Sequence, residues 1–250
     1  MIIWLASYPR SGNTLLRLIL HECFGLKTWS IYDDIADVGS RTEFSQIVGH
    51  NKHGLDQESF TKKASDSSDV YFVKTHDRPR DDQKSIYIVR DGRSAIVSYF
   101  HYRMDNDIDP RPKPSLEDVV AGNDMFGSWS DHFKAWAPNR RPNTLFLRFD
   151  EVVRDPSNAI KKIAAFAELP VLKLNTLPFT ALQRVDSKFF RSGSDTKNIA
   201  ELQGKALDLF WVLHGELMVE LGYVDSVPPI RDISGIGSPV WGQISTAERR

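Results

Sequence analysis

Trp4-Leu5-Ala6-Ser7-Tyr8-Pro9-Arg10-Ser11-Gly12-Asn13-Thr14-Leu15-Leu16-Arg17 is the stretch whose reading decides the fold. Its first half continues the apolar run of Ile2 and Ile3 and predicts a short strand buried on both faces, while Thr14 to Leu20 predicts a helix. Between them lies a tight turn. A strand that turns through Ser and Gly straight into a helix leaves N–H groups unpaired at the helix N-terminus, where they and the macrodipole favour an anion. An ordinary strand-turn-helix corner uses the same residue types, so the turn alone does not separate a phosphate cradle from a plain corner.

Against the nucleotide-loop pattern GxxxxGK[ST], the segment Ser7 to Thr14 agrees at Gly12 and Thr14 but has Ser7 for the first Gly and Asn13 for the Lys. That Lys reaches the β- and γ-phosphates of a triphosphate, and its absence argues against ATP or GTP. A positive charge stands instead at Arg10, inside the loop. This suits a shorter anion carried on one adenosine phosphate.

Outward from this corner, Val70 to Lys74 predicts a second buried strand that runs into Thr75-His76. Alternation puts Lys74 and His76 on one side where the strand leaves the sheet. Ser85 to Val89 predicts a third strand, which ends in Arg90-Asp91-Gly92-Arg93 and passes into a helical run from Ser94 to Arg103. Arg90 stands at the strand exit, with Ser98 about two turns further on. A guanidinium fork and a hydroxyl together suit a phosphate; the plainer alternative is a surface Arg paired with Asp91. Thr144 to Phe149 predicts a fourth strand, followed by an amphipathic helix from Pro156 to Leu169. Strands alternating with helices predict an α/β fold, a three-layer sandwich with a mostly parallel central sheet. In such sheets the crevice lies at the carboxyl ends of the strands, where His76 falls.

The remaining segments carry weaker signals. Residues 26–69 form a long polar excursion with helical signal at Glu43 to Val48 and Gln57 to Lys63, in which His50 and His53 read as solvated surface histidines. Met104 to Pro114 is acidic and Pro-rich and reads as a lid, and the stripe Phe126, Trp129, Phe133, Trp136 reads as core. Phe190 to Ser194 is a basic, Gly-containing loop, and one long helix is expected from Ile199 to Leu221, closed by Gly222. Residues 1–223 read as a single domain and 224–250 as a Pro/Gly/Ser-rich tail.

A formal net charge of −1 gives no bulk field for a nucleic-acid or membrane-surface binder, so any anion site must be local. The single cysteine, Cys23, allows no intramolecular disulfide and reads as a small buried apolar residue. No apolar run approaches the ~20 residues of a membrane helix, and the N-terminus lacks the layout of a signal peptide, so a cytoplasmic protein is expected. No His/Asp/Glu cluster stands at metal-ligand spacing.

Four separated segments resemble one family. Tyr8-Pro9-Arg10-Ser11-Gly12-Asn13-Thr14, Lys74-Thr75-His76, Arg90-Asp91-Gly92-Arg93 through Ser98-Tyr99-Phe100, and Phe149-Asp150-Glu151-Val152 with Asp155-Pro156 are similar, in order and spacing, to the sulfotransferases that use 3′-phosphoadenosine 5′-phosphosulfate (PAPS). The resemblance extends over roughly residues 2 to 222, and the opening WLASYPRSGN looks like small bacterial members. It implies that the first turn is a P-loop-like site in which Arg10, Ser11, Gly12, Asn13 and Thr14 bind the 5′-phosphosulfate. It places the 3′-phosphate on Arg90 and Ser98 and on the later loop at Arg191, Ser192 and Gly193. The adenine falls between Leu15 and Leu182, and the general base on His76.

Arg10 would stabilise the leaving phosphate, and Lys74 would help to hold the sulfuryl oxygens. The chain departs from the family's pattern at Arg10 and Ser192, where the family has Lys, at Leu15, where it has an aromatic residue, and at Phe149, where it has Tyr. The family's activity implies a hydroxyl or amine of a small molecule or glycoconjugate as acceptor, and no metal. The short C-terminal dimer motif of animal cytosolic members is not seen. A nucleotide kinase-like phosphate-loop enzyme and a non-catalytic adenosine bisphosphate-binding protein are the alternatives.

Overall fold

The computed structural model describes residues 1–33, 42–176 and 195–230. Among these, strands β1 (Ile2–Ala6), β2 (Trp29–Ser30), β3 (Tyr71–Thr75), β4 (Ser85–Val89) and β5 (Thr144–Arg148) form one sheet in the order β2-β3-β1-β4-β5. Every pairing is parallel. The expected three-layer α/β sandwich is what the chain adopts.

Pleating explains the layers. Ile2, Trp4 and Ala6 of β1 point to one face with Val73, Tyr87 and Val89, and meet helix α3 (Gln57–Asp66), α4 (Gly92–Asp105), α5 (Leu116–Ala121), α6 (Trp129–Trp136) and the helix Gly204–Glu220. Ile3 and Leu5 point the other way with Phe72, Ile86 and Ile88. There they meet α1 (Asn13–Phe24), the short α7 (Phe149–Arg154) and α8 (Pro156–Ala167), while the short α2 (Thr42–Ile47) lies in the chain between β2 and α3. All five β1 residues are buried, which explains a continuous apolar run rather than an alternating one.

Helix α1 ends at Gly25 in a left-handed conformation, with the Gly25 N–H on His21 O and the Leu26 N–H on Leu20 O. Cys23 is buried in this layer, as expected for a small apolar residue.

The structure corrects several expectations. The excursion at 26–69 contributes a strand, β2, which pairs with β3 at Trp29↔Val73 and Ser30↔Lys74; two residues are too short for periodicity to reveal. Neither of its histidines is a solvated surface group. The His53 side chain is 3% exposed, stacks on Phe60 with ring centroids 3.9 Å apart and has Nε2 2.9 Å from Ser30 O. His50 accepts from the Arg17 guanidinium at 2.8 Å and donates to Asp33 O at 3.2 Å.

The single helix expected from Ile199 to Leu221 is two helices, Asp195–Glu201 and Gly204–Glu220. Extended Gln203 and left-handed Gly204 part them, and the break turns Leu202 into the core at 2% exposure. Leu182, Arg191, Ser192, Gly193 and the tail beyond residue 230 lie outside the described residues.

Gly12 is where backbone freedom decides the corner. Its φ is +111°, and an added Cβ would lie 2.6 Å from Phe149 Cδ2 and 3.0 Å from Ile88 Cδ1. Gly12→Ala should therefore cost about 2–4 kcal/mol of stability, combining a disallowed φ with a clash in a packed layer. Urea unfolding checks this; a midpoint within error of wild type would show that the corner relaxes freely.

Candidate active site

Three strand exits meet at one edge of the sheet. β1 leaves through Ser7 into the turn before α1, β3 leaves through Thr75 into His76, and β4 leaves through Val89 into Arg90. β1 lies between β3 and β4, so these exits are adjacent, at the carboxyl ends where open parallel sheets hold ligands.

The turn itself is strained at a useful place. Arg10 sits at φ 63°, left-handed and unfavourable for a residue with a Cβ, and its side chain reaches α4. Its Nε donates to Ser98 Oγ at 3.2 Å, and its guanidinium carbon lies 5.4 Å from the Tyr102 ring centroid. From the next strand exit, the Arg90 Nη1 donates to the Arg10 carbonyl at 3.2 Å, and that guanidinium stacks over Phe149 at 4.8 Å. Arg10, Arg90 and Ser98 are thus one cluster. Asp91 takes no part in it, because it caps α4 and pairs with Arg93 at 2.6 Å. This disposes of the surface Arg90–Asp91 pair as the reason for Arg90.

The α1 N-terminus, at Gly12, has no side-chain cap and no acidic residue in its first turn. Asn13 is turned inward, its Nδ2 donating to Leu5 O at 2.7 Å, and so locks the turn to β1. Among the described residues, Ser11 Oγ and Asn13 Oδ1 are buried without a hydrogen-bond partner. Uncapped N–H groups beside two cations and a buried unsatisfied hydroxyl are the donor set an anion needs. These residues fit a phosphosulfate or phosphate group. Thr14 and Leu15 are half-buried on the first turn of α1, Leu15 against the helical layer of α8.

His76 touches the same turn. Its Nδ1 is 2.8 Å from Ser7 O, and since a carbonyl only accepts, Nδ1 carries the proton. The lone pair of the neutral ring is therefore on Nε2. Lys74, two residues earlier, is 8% exposed and sits in register between Leu5 and Ser30.

Three residues beside His76 carried no such signal in the sequence. The Tyr32 hydroxyl accepts from the His76 backbone N–H at 2.9 Å, and its ring stacks on the imidazole. His132 Nε2 donates to the His76 carbonyl at 3.0 Å. Phe126 stands edge-on to the imidazole with centroids 5.5 Å apart. The sequence places Phe126 in the core stripe; the structure buries Trp129, Phe133 and Trp136 in the core and leaves Phe126 half-buried against it, with its ring on His76. Only its position just before α6, rather than within it, could have set it apart.

The segment expected as a lid is staked down. Lys113 Nζ donates to Arg103 O at 2.7 Å, and buried Arg103 pairs with Asp124 at 2.8 Å.

Two buried histidines give this region a pH signature. Burial pushes His132 and His214 down from 6.5 to about 4, so both are neutral in the fold. The unfolded chain takes up protons on them as pH falls below 6.5, while the folded chain does so only near 4. Stability should thus decline from pH 6.5 towards 4 by on the order of 3 kcal/mol for each histidine. Urea midpoints at neutral and acid pH read this directly, and pH-independent midpoints would contradict it.

The sulfotransferase domain profile matches residues 2–200. Sulfotransferase 1B1 of Mus musculus is 39% identical over 106 residues, covering 41% of this chain and 33% of that protein. The matched stretches span between a third and just over half of the first curated relatives' lengths.

Among solved structures, mouse sulfotransferase SULT7A1 complexed with PAP superposes with a TM-score of 0.64 at 22% identity, covering 86% of this chain and 83% of the other. Retinol dehydratase in complex with androsterone and inactive cofactor PAP gives a TM-score of 0.58 at 18% identity, covering 91% and 82%. Both likenesses are of fold. No helix among the described residues is long and apolar enough to cross a membrane.

Proposed function

This chain belongs to the sulfotransferase domain family, and on that premise we propose that it transfers a sulfuryl group from PAPS to a hydroxyl or amine of a small molecule or glycoconjugate. The observation that supports this most directly is the meeting of the β1–α1 turn with His76, whose Nδ1 lies 2.8 Å from Ser7 O. A proton acceptor and an anion cradle then lie side by side, as transfer from a phosphate oxygen to an acceptor hydroxyl or amine requires.

PAPS, when bound, supplies the sulfuryl group and a phosphate leaving group. The turn from Arg10 to Thr14 would hold its 5′ end, and Arg90 with Ser98 its 3′-phosphate. Arg191, Ser192 and Gly193 are assigned to the same phosphate, and Leu15 and Leu182 to the adenine, from resemblance alone. His76 takes the acceptor's proton on Nε2, the nitrogen that carries no proton when Nδ1–H donates to Ser7 O.

Arg10 and the uncapped N–H groups of α1 stabilise negative charge as it grows on the departing oxygen. Arg10 does so only electrostatically, since a guanidinium keeps its proton at working pH. Lys74 is proposed to add a further positive charge to the site. Phe126 and Tyr32 flank the imidazole with apolar surface, which suits an acceptor that carries its hydroxyl on an apolar body.

A labelled-sulfate transfer screen from PAPS against phenols, alcohols, amines and sugars tests the reading. Calorimetric titration with adenosine 3′,5′-bisphosphate, and with ATP in the presence and absence of Mg²⁺, accompanies it. Bisphosphate binding without transfer to any acceptor would favour a non-catalytic binding protein; Mg²⁺-dependent ATP binding would favour a kinase-like enzyme.

A further inference from the structure

We propose that Tyr32, its hydroxyl anchored on Asp77, is a positioning residue that sets the orientation of the His76 imidazole by holding that residue's backbone N–H, with His132 completing the clamp at the carbonyl. This rests on the reading of His76 as the general base. His76 is the first residue past β3, where the ladder no longer fixes the chain. The last backbone link from the β2 side runs from the Ile31 N–H to Lys74 O at 3.2 Å. Two residues further the chain turns through left-handed Asp33, and the side chain of the intervening Tyr32 takes over from the ladder.

The Tyr32 hydroxyl accepts from the His76 N–H at 2.9 Å and donates to Asp77 Oδ1 at 2.6 Å. A carboxylate only accepts, so the direction of this relay is fixed. Asp77 is itself tethered: its N–H donates to Thr75 Oγ1 at 3.0 Å, its Oδ2 accepts from Gln57 Nε2 at 3.1 Å, and its carbonyl accepts from Trp136 Nε1 at 2.9 Å.

The other side of the clamp is equally determined. The His76 carbonyl accepts from His132 Nε2 at 3.0 Å, which leaves His132 Nδ1 to accept from the Tyr87 hydroxyl at 2.9 Å. With N–H, carbonyl and ring Nδ1 each bound to a different element, both the Cα–Cβ direction and the ring rotation of His76 are set. Freed of the N–H contact, the ring would shift against Ser7 O, and Nε2 would lose its aim at the acceptor. Displacements of that order cost about 10- to 100-fold in rate.

The test compares Tyr32→Phe and Asp77→Asn, alone and combined with His76→Ala, in the full chain. Two readouts are taken: the tautomer of His76 by ¹⁵N imidazole shifts in the ligand-free protein, and kcat and donor KM for sulfate transfer. In Tyr32→Phe, kcat is expected to fall about 10- to 100-fold with donor KM unchanged. The His76 ring should change from a single Nδ1-protonated form to a mixture.

Asp77→Asn, which keeps an acceptor oxygen for the hydroxyl, should lose less. Tyr32→Phe should remove nothing further in the His76→Ala background, where a purely structural stitch would still lower the residual rate. An unchanged spectrum and rate in Tyr32→Phe, or an equal fractional loss with and without His76, overturns the proposal. If the wild-type chain transfers no sulfate at all, the functional reading fails, and the tautomer measurement still decides the positioning claim.

Discussion

His76→Ala should lower the rate of sulfate transfer by ~100-fold or more while leaving the affinity for adenosine 3′,5′-bisphosphate within a few-fold of wild type, because a positioned general base contributes 10²–10⁴-fold. The separation of the two effects follows from how the residue is held. Its backbone N–H and carbonyl are bound by Tyr32 and His132, and neither contact needs the imidazole. Alanine therefore removes the proton acceptor together with the ring's contacts to Ser7 O, Tyr32 and Phe126, while the strand exit stays where it is.

The cations assigned to the donor, Arg10 and Arg90, make their contacts with Ser98, Tyr102, Phe149 and each other, and none of these is lost. Steady-state kinetics at saturating PAPS, paired with calorimetry, reads both quantities. Turnover equal to wild type would remove His76 from the mechanism. Parallel loss of rate and affinity would show that it serves the pocket's shape instead.

The second large effect is expected at Arg90. Arg90→Ala should weaken adenosine 3′,5′-bisphosphate binding by about 10- to 100-fold, the equivalent of one charge-assisted hydrogen bond at ~1.5–3 kcal/mol, with a much smaller loss for 5′-AMP. Arg90 also donates to the Arg10 carbonyl, so part of any loss comes from loosening the turn. That part is common to both nucleotides. The 5′-AMP measurement therefore isolates it, and the excess loss on the bisphosphate is the 3′-phosphate contribution. Arg90→Lys keeps the charge but not the planar fork that lies over Phe149, and should fall between the two. Equal losses for both nucleotides would contradict a 3′-phosphate role and leave Arg90 as a brace for the turn.

Much of this fold can be read from short segments because the signals involved are local. β1 is a run of apolar residues followed at once by a turn and a helix, and each of β3, β4 and β5 is a five-residue segment that ends in, or runs directly into, polar or charged residues. Gly12 stands at a position in that turn whose φ and packing both exclude a Cβ. Such features depend on a residue and its near neighbours, so composition and spacing carry them.

β2 escaped because a two-residue strand has no period, and its partner β3 lies more than 40 residues away. The break between the helices Asp195–Glu201 and Gly204–Glu220 escaped for another reason. One Gly inside a helical pattern is tolerated often enough that the pattern alone does not decide between a continuous helix and two.

What the sequence determined by itself, then, is the parallel α/β architecture and the placing of His76, Arg90 and the Ser7–Thr14 turn at strand ends. Period-two burial and glycine geometry are properties of the chain taken a few residues at a time. What only the tertiary structure decided is the company these residues keep: Arg10 on Ser98, Arg90 on the Arg10 carbonyl, and Tyr32 and His132 on either side of His76. These contacts join residues 88, 80, 44 and 56 positions apart. They exist because the order β2-β3-β1-β4-β5 brings those strand ends together and the helices above supply their side chains, and no local pattern encodes which end lands beside which.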